Sequence, residues 1–167
     1  GNVSVLGQPT PTARFMGGRE FAALIDGAPA DLGTEQDLHH LLQTQTFAIP
    51  SFAHQGGPFM AQQGYVLREG QLCELQAIKV AGRSALAALY CAQMTAWLVR
   101  CLRPETSDDP ATGSRMLVVE GPLARNQLYM GVLQSLLGSY TCFASVDELE
   151  GTARGAWLLS RWSGGSH

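Results

Sequence analysis

One lysine, Lys79, stands in the whole chain, and nowhere do Lys and Arg gather into a basic cluster. With a net charge of −3, the chain has no electrostatic footprint for nucleic acid, and that class of partner is excluded. No segment approaches the ~18 consecutive apolar residues of a membrane span, and no secretory signal opens the chain. The four cysteines, Cys73, Cys91, Cys101 and Cys142, include no CxxC pair and no Cys/His spacing of a zinc site. They read as reduced core cysteines of a cytoplasmic protein, with no metal site. Charged residues make up only 15% of the chain, which fits a domain that hides one face against something else.

What is present is enough for one domain. The 167 residues are 46% hydrophobic and long enough to bury a core without staples. A short strand at 3–6 closes at Gly7, and Pro9 and Pro11 keep the next stretch extended. The chain begins inside that strand, which suggests a fragment. A helix is expected over 19–25, stopping at Gly27. The glycine pair Gly17-Gly18 before it serves either close backbone approach or a simple turn. A second helix is expected around 35–42. Its His39 and His40 point about 100° apart, so at least one is exposed and neither is a ligand.

Residues 47–59 read as a short strand running into a Pro/Gly loop with three phenylalanines. They either line a ligand edge or pin the loop to the body. His54 is a candidate for a polar contact only, and no spacing suggests a catalytic triad. The clearest helix spans 83–102, with Leu86, Leu89, Tyr90, Met94, Trp97, Leu98, Cys101 and Leu102 on one apolar stripe and Pro104 as its stop. Residues 105–115 form a surface connection.

The organising stretch is 116–126. A strand over 116–120 breaks at Gly121-Pro122 and restarts as a helix over 123–137, with Arg125 and Asn126 in its first turn. Tyr129, Val132, Leu133, Leu136 and Leu137 make its buried face, and Gly138 stands where a C-terminal cap belongs. A glycine turn feeding a helix start lets backbone approach a ligand, and it favours negative charge there; packing alone also produces such turns. A strand over 140–144 follows, then a helix over 152–162 capped by Asp147 with Glu150 in the box position. Strand–helix alternation in the second half argues for an α/β layer with a partly parallel sheet.

Four stretches together resemble the C-terminal domain of the FGGY carbohydrate kinases. They are Thr12-Ala13-Arg14-Phe15-Met16-Gly17-Gly18-Arg19-Glu20-Phe21; Ile49-Pro50-Ser51-Phe52-Ala53 with Gly56-Gly57-Pro58-Phe59; Val119-Glu120-Gly121-Pro122-Leu123-Ala124-Arg125-Asn126; and Glu150-Gly151-Thr152-Ala153-Arg154-Gly155-Ala156-Trp157. The third is similar to the family's Gly-Gly-x-x-x-Asn adenosine segment, and the fourth to its Glu-x-Thr-Ala-Leu-Gly-Ala-Ala helix start. The resemblance implies a ribonuclease-H-like, actin-type ATPase domain over 1–167, with a mixed sheet flanked by helices. It also implies ATP and Mg2+ as cofactors, bound in a cleft shared with an N-terminal sugar-binding domain of the same protein. Gly121 and Pro122 would run beside the nucleotide, and Asn126 would reach the adenine or ribose. The catalytic Asp and the Gly-Thr phosphate turn would lie upstream, so no catalytic residue is expected here and the chain alone would not phosphorylate a sugar.

Two departures stand out: Pro122 replaces a second glycine, removing an N–H donor, and Arg154 replaces an apolar residue. Pro122 and the low charge favour a rival reading, a non-catalytic interaction or dimerisation module. The aromatics Phe15, Phe52 and Phe59 would support self-association on an uncovered face. An ATPase of the actin or chaperone type shares the fold but not the four stretches.

Overall fold

The computed structural model describes residues 2–4, 7–53, 55–103, 115–145, 157, 158, 160 and 161. The expected contact of His54, the connection at 105–114 and the helix cap at Asp147 lie outside them. So do the helix stop at Pro104 and most of the fourth matching stretch. Of the expected last helix, Trp157, Leu158, Ser160 and Arg161 are helical. Of the opening strand expected over 3–6, Val3 is in β1 (Asn2–Val3), which pairs antiparallel with β2 (Pro9–Thr10), and Ser4 is outside it.

α1 (Gly17–Ile25) begins two residues before the expected start, so the glycine pair is the first turn of the helix and not a turn ahead of it. Helix starts need no intrahelical partner for their first N–H groups, which lets glycine stand there at little cost. The helix stops at Asp26 in the left-handed conformation, followed by Gly27 at φ 77°. α2 (Glu35–Gln43) opens with a capping box: Thr34 accepts from Asp37 N–H, and Asp37 accepts from Thr34 N–H at 3.0 Å. His39 and His40 on it are both exposed.

The chain then builds a sheet that sequence patterning missed in part. β3 (Thr46–Ile49), β4 (Tyr65–Arg68) and β5 (Gln71–Cys73) form an antiparallel meander. β4 and β5 are joined by the two-residue turn Glu69-Gly70, with φ 51° and 76°, as a tight hairpin requires.

α3 (Val80–Leu102) is the axis of the core and packs against α1, α2, α4 and β3. It starts three residues earlier than expected. Every residue from Ser84 to Ala92 is buried, so its first half is enclosed on all sides, and only its second half shows a stripe. Trp97 and Cys101 reach the surface there. By length and composition α3 is long and apolar enough to cross a membrane, contrary to the expectation that no segment approaches such a span. More than half of that window is buried inside the protein, the position of a core helix.

β6 (Arg115–Val119) and β7 (Tyr140–Ala144) pair in parallel, joined through α4 (Gln127–Leu136). The α/β class therefore holds, with the parallel pair expected for a strand–helix–strand unit. The single mixed sheet does not. Among the described residues the strands fall into three sheets of two, three and two, because each pairs with a neighbour close in sequence or across one helix. The helix expected over 123–137 is also divided: Pro122–Arg125 is a 3-10 turn, and α4 begins only after Asn126. Leu137 is its C-cap. Gly138 lies outside the left-handed region, so it is not the expected left-handed cap.

Candidate functional site

Two of the sequence-singled stretches meet in space. The first turn of α1 and the β6–α4 turn face each other across a cleft of about 400 Å³, a volume in the range of ligand sites. Phe15, Phe21, Val119, Leu123 and Tyr129 make its apolar walls, and Gly17, Gly18 and Ala30 bring backbone to its surface. Glu120 is the carboxylate among its lining residues. An apolar slot of this size suits a flat heterocycle. The start of α1, where Met16 provides no side-chain cap, offers N–H groups to an anion. A Cβ on Gly17 would lie 3.0 Å from Phe15 Cε1 and 3.3 Å from Leu123 Cδ1, so a side chain there would press on both walls.

The structure places Pro122 and Asn126 in the cleft lining, with Gly121 adjacent to them in the turn. Gly121 adopts φ 83°, ψ −166°, a conformation open almost only to glycine, although nothing lies within 4 Å of a Cβ there. Its identity is set by the backbone and not by crowding. Pro122 takes the first position of the 3-10 turn, where its missing N–H costs nothing.

Asn126 carries more structural work than its place in a binding motif suggests. It precedes α4 instead of lying in the helix's first turn. Its Oδ1 accepts the Tyr129 N–H at 2.9 Å, capping the helix. Its Nδ2 donates to the Ala30 carbonyl at 3.0 Å, and Ser84 Oγ donates to the same oxygen at 2.8 Å. The far wall of the cleft is thus tied to the loop before α2 and to α3. One acceptor site and one N–H of the Asn126 amide remain for another partner.

Behind the cleft lies a buried carboxylate that sequence reading did not single out as functional. Glu20, 3% exposed, accepts from Ser51 Oγ at 2.7 Å, from Phe52 N–H at 2.6 Å and from Tyr90 Oη at 3.0 Å. Burial pushes the Tyr90 phenol far above its ordinary value, and the Glu20 charge and hydrogen bond add to the rise. Cys91 is raised by burial first and by Glu20 second. The phenylalanines of 47–59 pin their loop: Phe52 meets Tyr90 edge-on at 5.6 Å, and Phe59 stacks on Trp97 at 5.3 Å. A Glu in a first helical turn normally reads as solvated, so only the paired Ser51-Phe52 motif could have hinted at its burial.

The geometry defines an α/β domain with an apolar cleft between a helix start and a strand–glycine–helix turn. Residues 1–166 match the family model described as carbohydrate kinase FGGY, C-terminal domain, and the chain belongs to that family. No curated protein matches it. Among solved structures it is similar to a carbohydrate kinase from Novosphingobium aromaticivorans, at 24% sequence identity and a TM-score of 0.66. The match covers 96% of this chain and 32% of that one, so the chain spans about a third of the length of that kinase.

Proposed function

We propose that this domain is the nucleotide-binding half of an ATP-dependent sugar kinase, which transfers the γ-phosphate of ATP to a sugar hydroxyl. The observation that carries the reading is the cleft: two family-like stretches about a hundred residues apart, one with Gly17-Gly18 and one with Pro122 and Asn126, line one slot. In this reading the adenine lies against Phe15, Leu123 and Tyr129, with Gly121, Pro122 and Asn126 along one edge and the start of α1 toward the phosphates. The domain is of the ribonuclease-H-like, actin-type ATPase class.

Phosphoryl transfer needs positioning and charge stabilisation around the γ-phosphate. The cleft lining contains no Lys or Arg, and no group of three His, Cys, Asp or Glu that could hold a metal occurs among the described residues. On this reading Mg2+ would enter with the nucleotide and help stabilise charge on its phosphates. The general-base Asp, the phosphate turn and the sugar grip come from an N-terminal domain, the principal partner, and the isolated chain has no turnover. A reducing cytoplasmic setting keeps the four cysteines free.

The test is a thermal-shift titration of this chain with Mg-ATP. Ligand at a hundred times its Kd adds roughly 2.7 kcal/mol. Gly121→Val, which forces a side chain onto a glycine-only backbone, should abolish the response. No stabilisation of the wild type by millimolar Mg-ATP, or an equal one in Gly121→Val, overturns the reading. The second reading, an interaction or dimerisation module, draws on one face of β6–β7, where Met116, Val118 and Phe143 are exposed. It gains if the chain self-associates and ignores nucleotide.

A further inference from the structure

We propose that Glu20 is the positioning residue of the cleft. It locks Ser51-Phe52 and α3 onto the first turn of α1, and so fixes the Phe15 wall and the glycine pair at the spacing a nucleotide needs. The functional half of this inference rests on the nucleotide reading above; the structural half does not.

Three donors from two separate segments converge on one carboxylate. Ser51 reaches Oε1, while the Phe52 N–H and the Tyr90 hydroxyl share Oε2. No cation pairs with Glu20 among the described residues, so the donors alone compensate its burial. Tyr90 passes the constraint on: its ring meets Phe52 at 5.6 Å and Phe15 at 6.5 Å, both edge-on, and Phe15 is a wall of the cleft. The loop also presses on the segment before α1. A Cβ on Gly56 would lie 2.9 Å from Met16 Cγ, and Met16 is the residue whose carbonyl receives the first helical bonds from Arg19 and Glu20. Two stretches that resemble the family, one lining the cleft and one lying outside its lining, are therefore one device, joined at Glu20.

The chemistry supplies a control. In Glu20→Gln the amide oxygen can replace Oε2 and keep Phe52 and Tyr90. Its NH2 would then donate to Ser51 Oγ, whose single hydrogen turns to the Ala53 carbonyl at 3.0 Å. Glu20→Ala removes all three links.

The experiment compares wild type, Glu20→Gln and Glu20→Ala by amide hydrogen exchange and by Mg-ATP titration calorimetry, at a temperature where each is fully folded. Arg19 and Gly64 are the reporters, since their N–H groups bond Met16 and Ser51 carbonyls, and Leu133 in α4 is the reference. In Glu20→Ala, exchange at Arg19 and Gly64 should rise about tenfold over that at Leu133, and ATP should bind about tenfold more weakly through lost preorganisation. Glu20→Gln should stay within about twofold on both. A merely structural role lowers Tm, raises exchange everywhere and leaves the Kd of the folded protein unchanged. Uniform exchange, or an unchanged Kd in a wild type that binds ATP, overturns the proposal. A wild type that does not bind ATP sinks the nucleotide reading, while the exchange pattern still decides the role of Glu20. If Glu20→Ala fails to fold, Tyr90→Phe and Ser51→Ala each remove one link and should show the same pattern at smaller amplitude.

Discussion

Asn126→Ala tests whether the cleft is held by its own side chains. The substitution removes two bonds with different consequences. Losing the cap on the Tyr129 N–H leaves an unsatisfied donor at the start of α4, at a cost of about 1 kcal/mol. Losing the tether to Ala30 costs about another 1 kcal/mol or less, because that carbonyl keeps its bond from Ser84 at 2.8 Å and is not orphaned. The sum is about 2 kcal/mol, which in a chain of this size lowers Tm by roughly 4–8 °C.

Asn126→Ser separates the two. A serine hydroxyl can still cap α4 but is too short to reach Ala30, so it should lose only about 1 kcal/mol. Asn126→Asp keeps the cap and adds a charge favoured at a helix start. It also sets a carboxylate oxygen against the Ala30 carbonyl, so it should fall between wild type and alanine. Urea denaturation monitored by circular dichroism gives the three values. Equal stabilities for alanine and serine would refute the capping account, and an alanine variant within about 0.5 kcal/mol of wild type would refute the whole assignment.

Two other outcomes follow from packing and from ionisation. Gly33→Ala puts a Cβ 2.6 Å from Ala85 N and 2.9 Å from Ala85 Cα, in the enclosed half of α3 where backbone cannot give way. It should cost about 1–3 kcal/mol in a denaturation midpoint. Gly138→Ala, with open space and no left-handed backbone, serves as the neutral control. An unaffected Gly33→Ala would mean the loop does not approach α3 so closely. The second outcome is alkaline destabilisation. Cys91 and Tyr90 are both raised in the folded state above ordinary values of 9.0 and 10.0. The folded chain then holds protons that the unfolded chain releases, so their contribution is complete below pH 9 and is lost as pH rises, by up to about 1.4 kcal/mol per pH unit for each group. Urea midpoints measured from neutral pH upward should fall above pH 9 and fall less in Tyr90→Phe; a flat profile would contradict the burial of both groups.

The parts of the fold legible in the sequence are those written in local periodicity. Tyr140–Ala144 is the strand expected residue for residue, and α2 and the end of α3 fall within a residue of the pattern. The β4–β5 hairpin is equally local, since Glu69-Gly70 supplies a two-residue turn with glycine at its second position. The start of α3 was obscured because Val80 to Gly82 show no stripe before the fully enclosed stretch begins. Glu20 belongs to a different category. Its burial depends on Ser51, 31 residues away, and on Tyr90, 70 away, and no periodicity reports a long-range hydrogen bond.

The same distinction clarifies the departure at Pro122. By sequence it is a lost N–H where the family has glycine. By geometry it opens a 3-10 turn, at a position where an N–H would have no intraturn partner, and the turn closes through the Ala124 N–H on the Gly121 carbonyl at 3.1 Å. The fold therefore loses nothing by the substitution, and any cost falls only on a ligand. With proline on one edge and the side chain of Asn126 largely committed to α4 and Ala30, the β6–α4 wall gives shape through Val119, Pro122 and Leu123, and Glu120 is its one carboxylate among the lining residues. On the opposite wall the start of α1 has no side-chain cap on its first N–H groups. A nucleotide bound here would be oriented by contact on one side and charge-compensated on the other. On the proposed reading, the side that would compensate charge is the one that Glu20 braces.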